Sequence, residues 1–440
     1  MDCRGYWSLV GLGAVVWSAA ELWGVVWQDD FEREPIAYRS TSADNVVTAL
    51  QQRLDRGELR WRWSEDHGYL PALLGALDIP VSSQVLVFSK TSLQRERIGP
   101  KTPRAIYFND DVYVGFCLGG EVMEVSAADP RLGTVFYTLE QEPTEKPRFL
   151  RQWDNCLSCH ATSATGGVPG HLVRSVFPDR RGIPILSLGS YRTDHTSPLQ
   201  ERWGGWYVTG THGRQQHMGN WVIENKQAVE LSDNQAGQNV TDLRSFFTIG
   251  RYLAPHSDIV ALMVLEHQTE CHNRLTRALY ETLQALHYEE TLNRELGEPA
   301  GKQWEGARRR IRTAGEKLVQ YLLFCEEAAL SEPIRGTSGF AEEFARRGPF
   351  DRRGRSLRQL DLHRRLFKYP CSYLIYSRSF RELPAQVKSY VLQRLHEVLS
   401  GQDRSAVFAH LSAADRQAID EILQDTLPEY QAVARSRHAK

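Results

Sequence analysis

At 440 residues, with 41% hydrophobic and 24% charged residues, the chain has an ordinary globular composition and more length than one hydrophobic core usually supports. The formal charge of −1 is unevenly spread: residues 302–440 carry 25 Lys/Arg against 17 Asp/Glu, leaving 28 against 37 for residues 1–301. The basic residues of the second part (Arg308 to Arg310, Arg346, Arg347, Arg352, Arg353) are dispersed without interleaved aromatics, which reads as solvated surface or a docking face for an acidic partner and excludes a nucleic-acid signature there.

The chain opens with Arg4 and an apolar run from Tyr6 to Ala20 that resumes after Glu21 and ends at Trp27. The run, with the small residues Ser18-Ala19-Ala20, reads as a secretory signal peptide or, over residues 6–27, as an uncleaved membrane anchor. Both readings send the protein to the periplasm or another exported location. Asp44 is the expected N-cap of a helix lined by Val46, Val47, Leu50 and Leu54 and closed by Gly57, and a second helix is expected over Tyr69 to Leu77. Alternating apolar segments then predict a meander: Val85 to Phe88, Ala105 to Phe108, Val112 to Phe116, Glu121 to Val125 and Thr134 to Leu139, with a hairpin at Asn109-Asp110-Asp111. Residues 161–250 are rich in Gly and Pro, with short strands expected at Ile185 to Leu188 and Trp206 to Thr209. After Ser257 the period becomes helical: Ile259 to His287, Trp304 to Leu330, Leu357 to Phe367, Pro384 to Leu399 and a last helix after Ser412 with a Ser412/Asp415 capping box. The fold class is α+β: a mixed, loop-rich part over 35–250 followed by an all-helical part over 251–440.

Between the meander and the loops stands Cys156-Leu157-Ser158-Cys159-His160. C-x-x-C-H is the attachment signature of a c-type haem. Two thiols three residues apart can each add to one haem vinyl group, and the adjacent imidazole then meets the iron from the proximal side. A zinc site would need a second Cys/His pair at ligand spacing, and no other C-x-x-C exists in the chain. Of the other cysteines, Cys3 precedes the apolar run, and Cys117, Cys271, Cys325 and Cys371 are scattered singly, either as buried thiols or as disulfides whose pairing sequence does not give.

The second iron ligand must come from elsewhere. Downstream candidates are His171, His195, His212, His217 and Met218. Met218 lies in a polar, Gly-containing loop where a core methionine is not expected, 58 residues after His160, and a thioether there would raise the reduction potential. His212, His217, His171 and an open position remain as alternatives. Trp203-Gly204-Gly205-Trp206-Tyr207 reads equally as a haem wall or as core packing, and Cys371 reads as a structural thiol rather than a nucleophile.

At Cys156 to His160 the chain resembles the c-type cytochromes. With Trp203 to Gly213 and the Cys371 segment included, it also resembles a group of exported bacterial cytochrome c domain proteins that carry one C-x-x-C-H each. The resemblance implies one covalent haem c on Cys156 and Cys159 with His160 as proximal ligand, and it does not extend to a distal ligand. The expected function is electron transfer with a redox partner protein. The competing expectation is a haem oxidoreductase whose substrate reaches an open or displaceable sixth position, and a third is a haem-based sensor or scaffold.

Overall fold

The computed structural model describes residues 30–224 and 229–438, so the leader expected at residues 1–27 and Cys3 lie outside the described residues. Among the described residues, no helix is long and apolar enough to cross a membrane.

The N-terminal half is built on one antiparallel sheet. Strands β1 (Val85–Val87), β2 (Arg104–Phe108), β3 (Val112–Phe116), β4 (Val122–Asp129), β5 (Gly133–Glu140) and β6 (Phe149–Gln152) run as a meander, and β9 (Trp206–Tyr207) adds to the free edge of β1. The hairpin at Asn109 forms as expected: Asn109 Oδ1 accepts the N–H groups of Asp111 and Val112, closing the turn between β2 and β3. Residue alternation gives the sheet two faces. One carries Tyr107, Val114, Val125 and Tyr137 and meets the N-terminal segment, where the Asn45 amide donates to the Tyr137 hydroxyl at 2.9 Å. The other carries Tyr113, Gly115, Glu124, Ser126 and Phe136.

Two helices precede the sheet, α1 (Val46–Asp55) and α2 (Leu70–Ala76). The cap of α1 is Asn45, not Asp44: the Asn45 side chain accepts from Val47 and Thr48 while its amide reaches Asp129, and Asp44 instead pairs with Arg378. An amide can accept at the helix end and donate to a buried carboxylate at once, which an aspartate cannot do. In the loop region, β7 (Arg174–Val176) and β8 (Ser190–Arg192) form a two-stranded ribbon. The segment expected as a strand at Ile185 to Leu188 is a 3-10 turn at Leu186–Leu188, ended by Gly189 at φ +89°.

Beyond residue 250 the chain is helical, apart from β11 (Arg335–Gly336), which pairs with β10 (Gly210–Thr211). Helix α4 (Ile259–Leu296), which follows the short, two-turn α3 (Asp154–His160), is its axis. Asp258 caps it, accepting from Val260 at 2.8 Å, and its first four turns are buried on all sides, as in a core helix. It packs on α5 (Glu305–Leu322), which packs on α8 (Ala385–Leu399). Short α6 (Phe340–Arg346) and α7 (Arg378–Arg381) bridge back to the sheet half, and α9 (Ala413–Thr426) with α10 (Pro428–His438) closes the bundle. The Ser412/Asp415 capping box is present. No helix forms over Leu357 to Phe367. Asp361 there accepts the N–H groups of His363 and Arg364 in a tight turn, and Leu362 stands at φ +58°, both incompatible with continued helix. One hydrophobic core runs from Phe31 through the sheet and α4 to Tyr430, across the change from strands to helices.

Candidate functional site

The seven-residue helix α3 carries the C-x-x-C-H residues at its C-terminal end. Trp153 leads into it from β6, and Asp154 in its first turn pairs with Arg39, which also holds Glu32 at 3.0 Å. Cys159 is exposed, Cys156 and His160 are half-buried, and Leu157 between them anchors the turn in the core. Burial pushes the Cys156 thiol up to about 11.

His160 reaches the polar face of the sheet. Its ring lies 4.9 Å from that of Phe136, and its Nδ1 is 2.9 Å from the Gly170 carbonyl oxygen. A carbonyl only accepts, so the proton is on Nδ1 and the lone pair on Nε2. Nε2 has no hydrogen-bond partner among the described residues. The loop that supplies the carbonyl is fixed twice. The Gly170 N–H donates back to the His160 carbonyl at 2.8 Å, and Asn273 of α4 bonds both the N–H (2.9 Å) and the carbonyl (2.8 Å) of His171. A Cβ on residue 170 would stand 2.1 Å from Asn273 Oδ1, so glycine is required there by close approach.

Beneath α3 the sheet face is charged. Arg104 of β2 pairs with Glu124 of β4 at 2.5 Å, and its guanidinium fills the space a side chain at Gly115 would take. Arg104 Nε is buried without a partner among the described residues. Cys117, Cys271, Cys325 and Cys371 are all free and buried, so no disulfide links the described cysteines.

The other candidates lie apart from this turn. Met218 is buried, its sulfur accepting from Ser175 Oγ at 3.5 Å and its methyl packed on Gly204. No hydrogen bond among the described residues joins it to His160. The His212 and His217 rings lie 4.7 Å apart, tilted by 58°, beside Trp203. The lone pair of His212 Nε2 is taken by the Asn239 N–H (3.0 Å), and that of His217 Nδ1 by the Gly219 N–H (3.0 Å). His171 sits nearest to His160, with Phe136 between them, but its Nε2 is 2.8 Å from Ser126 Oγ.

His195 belongs to a buried polar group that the sequence does not announce. Its Nδ1 is 2.8 Å from His267 Nδ1, His267 Nε2 is 2.8 Å from Ser372 Oγ, and Arg202 reaches Glu266 at 3.1 Å beside Trp203. Burial lowers His195 to about 3 and raises Glu266 to about 7. A histidine therefore does stand beside the Cys371 segment, on Ser372, but burial raises the Cys371 thiol far above its usual value and the whole group is closed to solvent.

The donor set at 156–160 fits a covalently attached haem: two free thiols one turn apart, and a neighbouring imidazole with its tautomer fixed and its lone pair open. No family model, curated protein or solved structure matches the chain.

Proposed function

We propose that the chain is an exported monohaem c-type cytochrome that exchanges single electrons with a redox partner protein. Cys156 and Cys159 would hold the haem through thioethers and His160 would ligate the iron. When bound, haem c supplies a one-electron iron couple whose potential follows the axial ligands and their hydrogen bonds. The chain's residues set the terms for that couple. Gly170 keeps the His160 proton on Nδ1 and fixes the ring, Asn273 holds the Gly170-His171 loop to α4, and Phe136 packs against the imidazole. The apolar run at residues 6–27 supports an exported location, as a cleaved leader or as an anchor. One observation carries the reading. His171, His212 and His217 have their lone-pair nitrogens in hydrogen bonds and His195 is fully buried against His267, whereas His160 is half-buried with its lone-pair nitrogen free of hydrogen bonds among the described residues.

A second reading, a haem oxidoreductase with an open sixth position, is favoured by the place of Met218. Its sulfur accepts from Ser175 Oγ and its N–H donates to the Arg202 carbonyl at 3.0 Å, so the side chain would have to leave Ser175 to ligate iron. Absorption spectra of the purified holoprotein, oxidised and reduced, with and without carbon monoxide, separate the two. Absence of any haem spectrum sinks both.

A further inference from the structure

One groove lies on the opposite side of β6 from the haem motif, and it has no part in the proposed haem site. It is an open surface groove of about 710 Å³ between the segment 59–64 and the exposed face of α2. The segment alternates as Arg60-Trp61-Arg62-Trp63. Trp61 and Trp63 are half-buried, Trp61 meeting Phe149 of β6 at 6.0 Å and Tyr69 at 5.9 Å, and Trp63 meeting Tyr69 at 5.0 Å. Arg60 and Arg62 project outward and are exposed, without an acidic partner among the described residues. Arg53 of α1 completes the basic rim, 3.9 Å from Glu58, and no carboxylate lines the groove itself. The opposite wall is made of small residues, Ala72, Gly75 and Ala76, and a Cβ on Gly75 would meet nothing within 4 Å.

The backbone of this segment is equally unoccupied. From Leu59 to Trp63 no N–H or carbonyl has a hydrogen-bond partner among the described residues, and exposure alternates from Arg60 to Trp63 as it does along a strand. Five such residues span about 16 Å, the length of an average strand. Open main-chain groups of this kind take an added strand, and the side chains that flank them set which strand it is.

We infer that this groove binds an extended acidic peptide segment of a partner protein. The segment adds as a strand along residues 59–63, places alternate carboxylates on Arg60 and Arg62, and lays its intervening side chains on the small-residue face of α2. Three cations without a lining carboxylate select acidic side chains. A nucleic acid is disfavoured because the indole rings are turned inward onto Tyr69 and Phe149 and offer no platform for stacked bases. The inference does not depend on the haem.

The test is fluorescence anisotropy of the full chain with a labelled peptide of alternating Glu and Val. Saturable binding is expected, weaker by about tenfold or more for the Gln/Val peptide and for the R60E/R62E variant, and weakened by salt. Methylation of alternate peptide nitrogens should abolish it, because those N–H groups donate to the 59–63 carbonyls. Circular dichroism of R60E/R62E confirms that the fold is intact. No saturable binding, equal binding by R60E/R62E, or equal binding of the methylated peptide overturns the inference. Displacement by inorganic phosphate, by phosphatidylglycerol vesicles or by a single-stranded oligonucleotide more readily than by unlabelled peptide reassigns the groove and also overturns it.

Discussion

His160 and Gly170 are tied to each other twice: the His160 imidazole donates to the Gly170 carbonyl at 2.9 Å, and the Gly170 N–H donates to the His160 carbonyl at 2.8 Å. The pair closes the loop 160–170 and decides which nitrogen of His160 keeps its lone pair. Gly170→Ala places its methyl on Asn273 Oδ1 and forces the loop off α4. Urea unfolding should show a loss of about 1–3 kcal/mol, from strain and from buried backbone groups left unpaired. An unchanged midpoint would show that the loop is not held as described.

Met218→Ala tests the place of its sulfur. The side chain is buried against Gly204 and Ser175, so truncation should cost about 2–4 kcal/mol of stability. If the sulfur stays on Ser175 in the holoprotein, reduced wild type and variant bind carbon monoxide at similar rates. Slow binding by wild type and fast binding by Met218→Ala would instead make Met218 the sixth ligand.

Glu266 gives a pH dependence with a defined sign. Burial raises its carboxyl to about 7 even with Arg202 beside it, so between about pH 5 and pH 7 the folded chain holds a proton that the unfolded chain has released. This group's contribution to stability therefore falls as pH rises through that window. Glu266→Gln removes the contribution, and the variant's urea midpoint should gain on the wild type's between about pH 5 and pH 7. A constant difference between the two midpoints would contradict this.

Arg358 ties the C-terminal half to the tip of the β2–β3 hairpin. It is buried, donates to Asp110 at 3.0 Å and to the Gly348 carbonyl at 2.8 Å, and stacks 4.3 Å from the Tyr373 ring. Arg358→Ala leaves Asp110 without its cation and should cost about 3 kcal/mol, measured by thermal or urea unfolding. A change below about 0.5 kcal/mol would show that the two halves do not depend on this contact.

The meander and the helices were legible in the sequence wherever one period ran unbroken. β3 at Val112–Phe116 starts and ends as the alternation predicts, and α4 starts at Ile259 as its apolar run predicts. The failures share a cause. At Leu357 to Phe367 the apolar spacing is helical, but Asp361 gives the backbone a better local partner, and at Asp44-Asn45 the cap is chosen by a distant carboxylate, Asp129. At the site, the motif made Cys156, Cys159 and His160 visible by spacing alone. Gly170, Asn273, Phe136 and Arg104 were not, because nothing local marks a residue that acts on His160 through folding. The Arg60-Trp61-Arg62-Trp63 alternation was visible as letters, but its unpaired backbone and open groove exist only in the fold.

Attachment of haem through the sulfurs of Cys156 and Cys159 is read from the mass of the intact chain. The chain should be produced from its full sequence, residues 1–27 included, in a bacterium that attaches haem c, purified, and its intact mass measured after denaturation. The account predicts the mass of the polypeptide plus one haem, with the covalent adduct lost in the Cys156→Ala/Cys159→Ala double variant and retained in Cys117→Ala. A wild-type mass equal to that of the polypeptide alone, from a host that loads a control cytochrome fully, would contradict it.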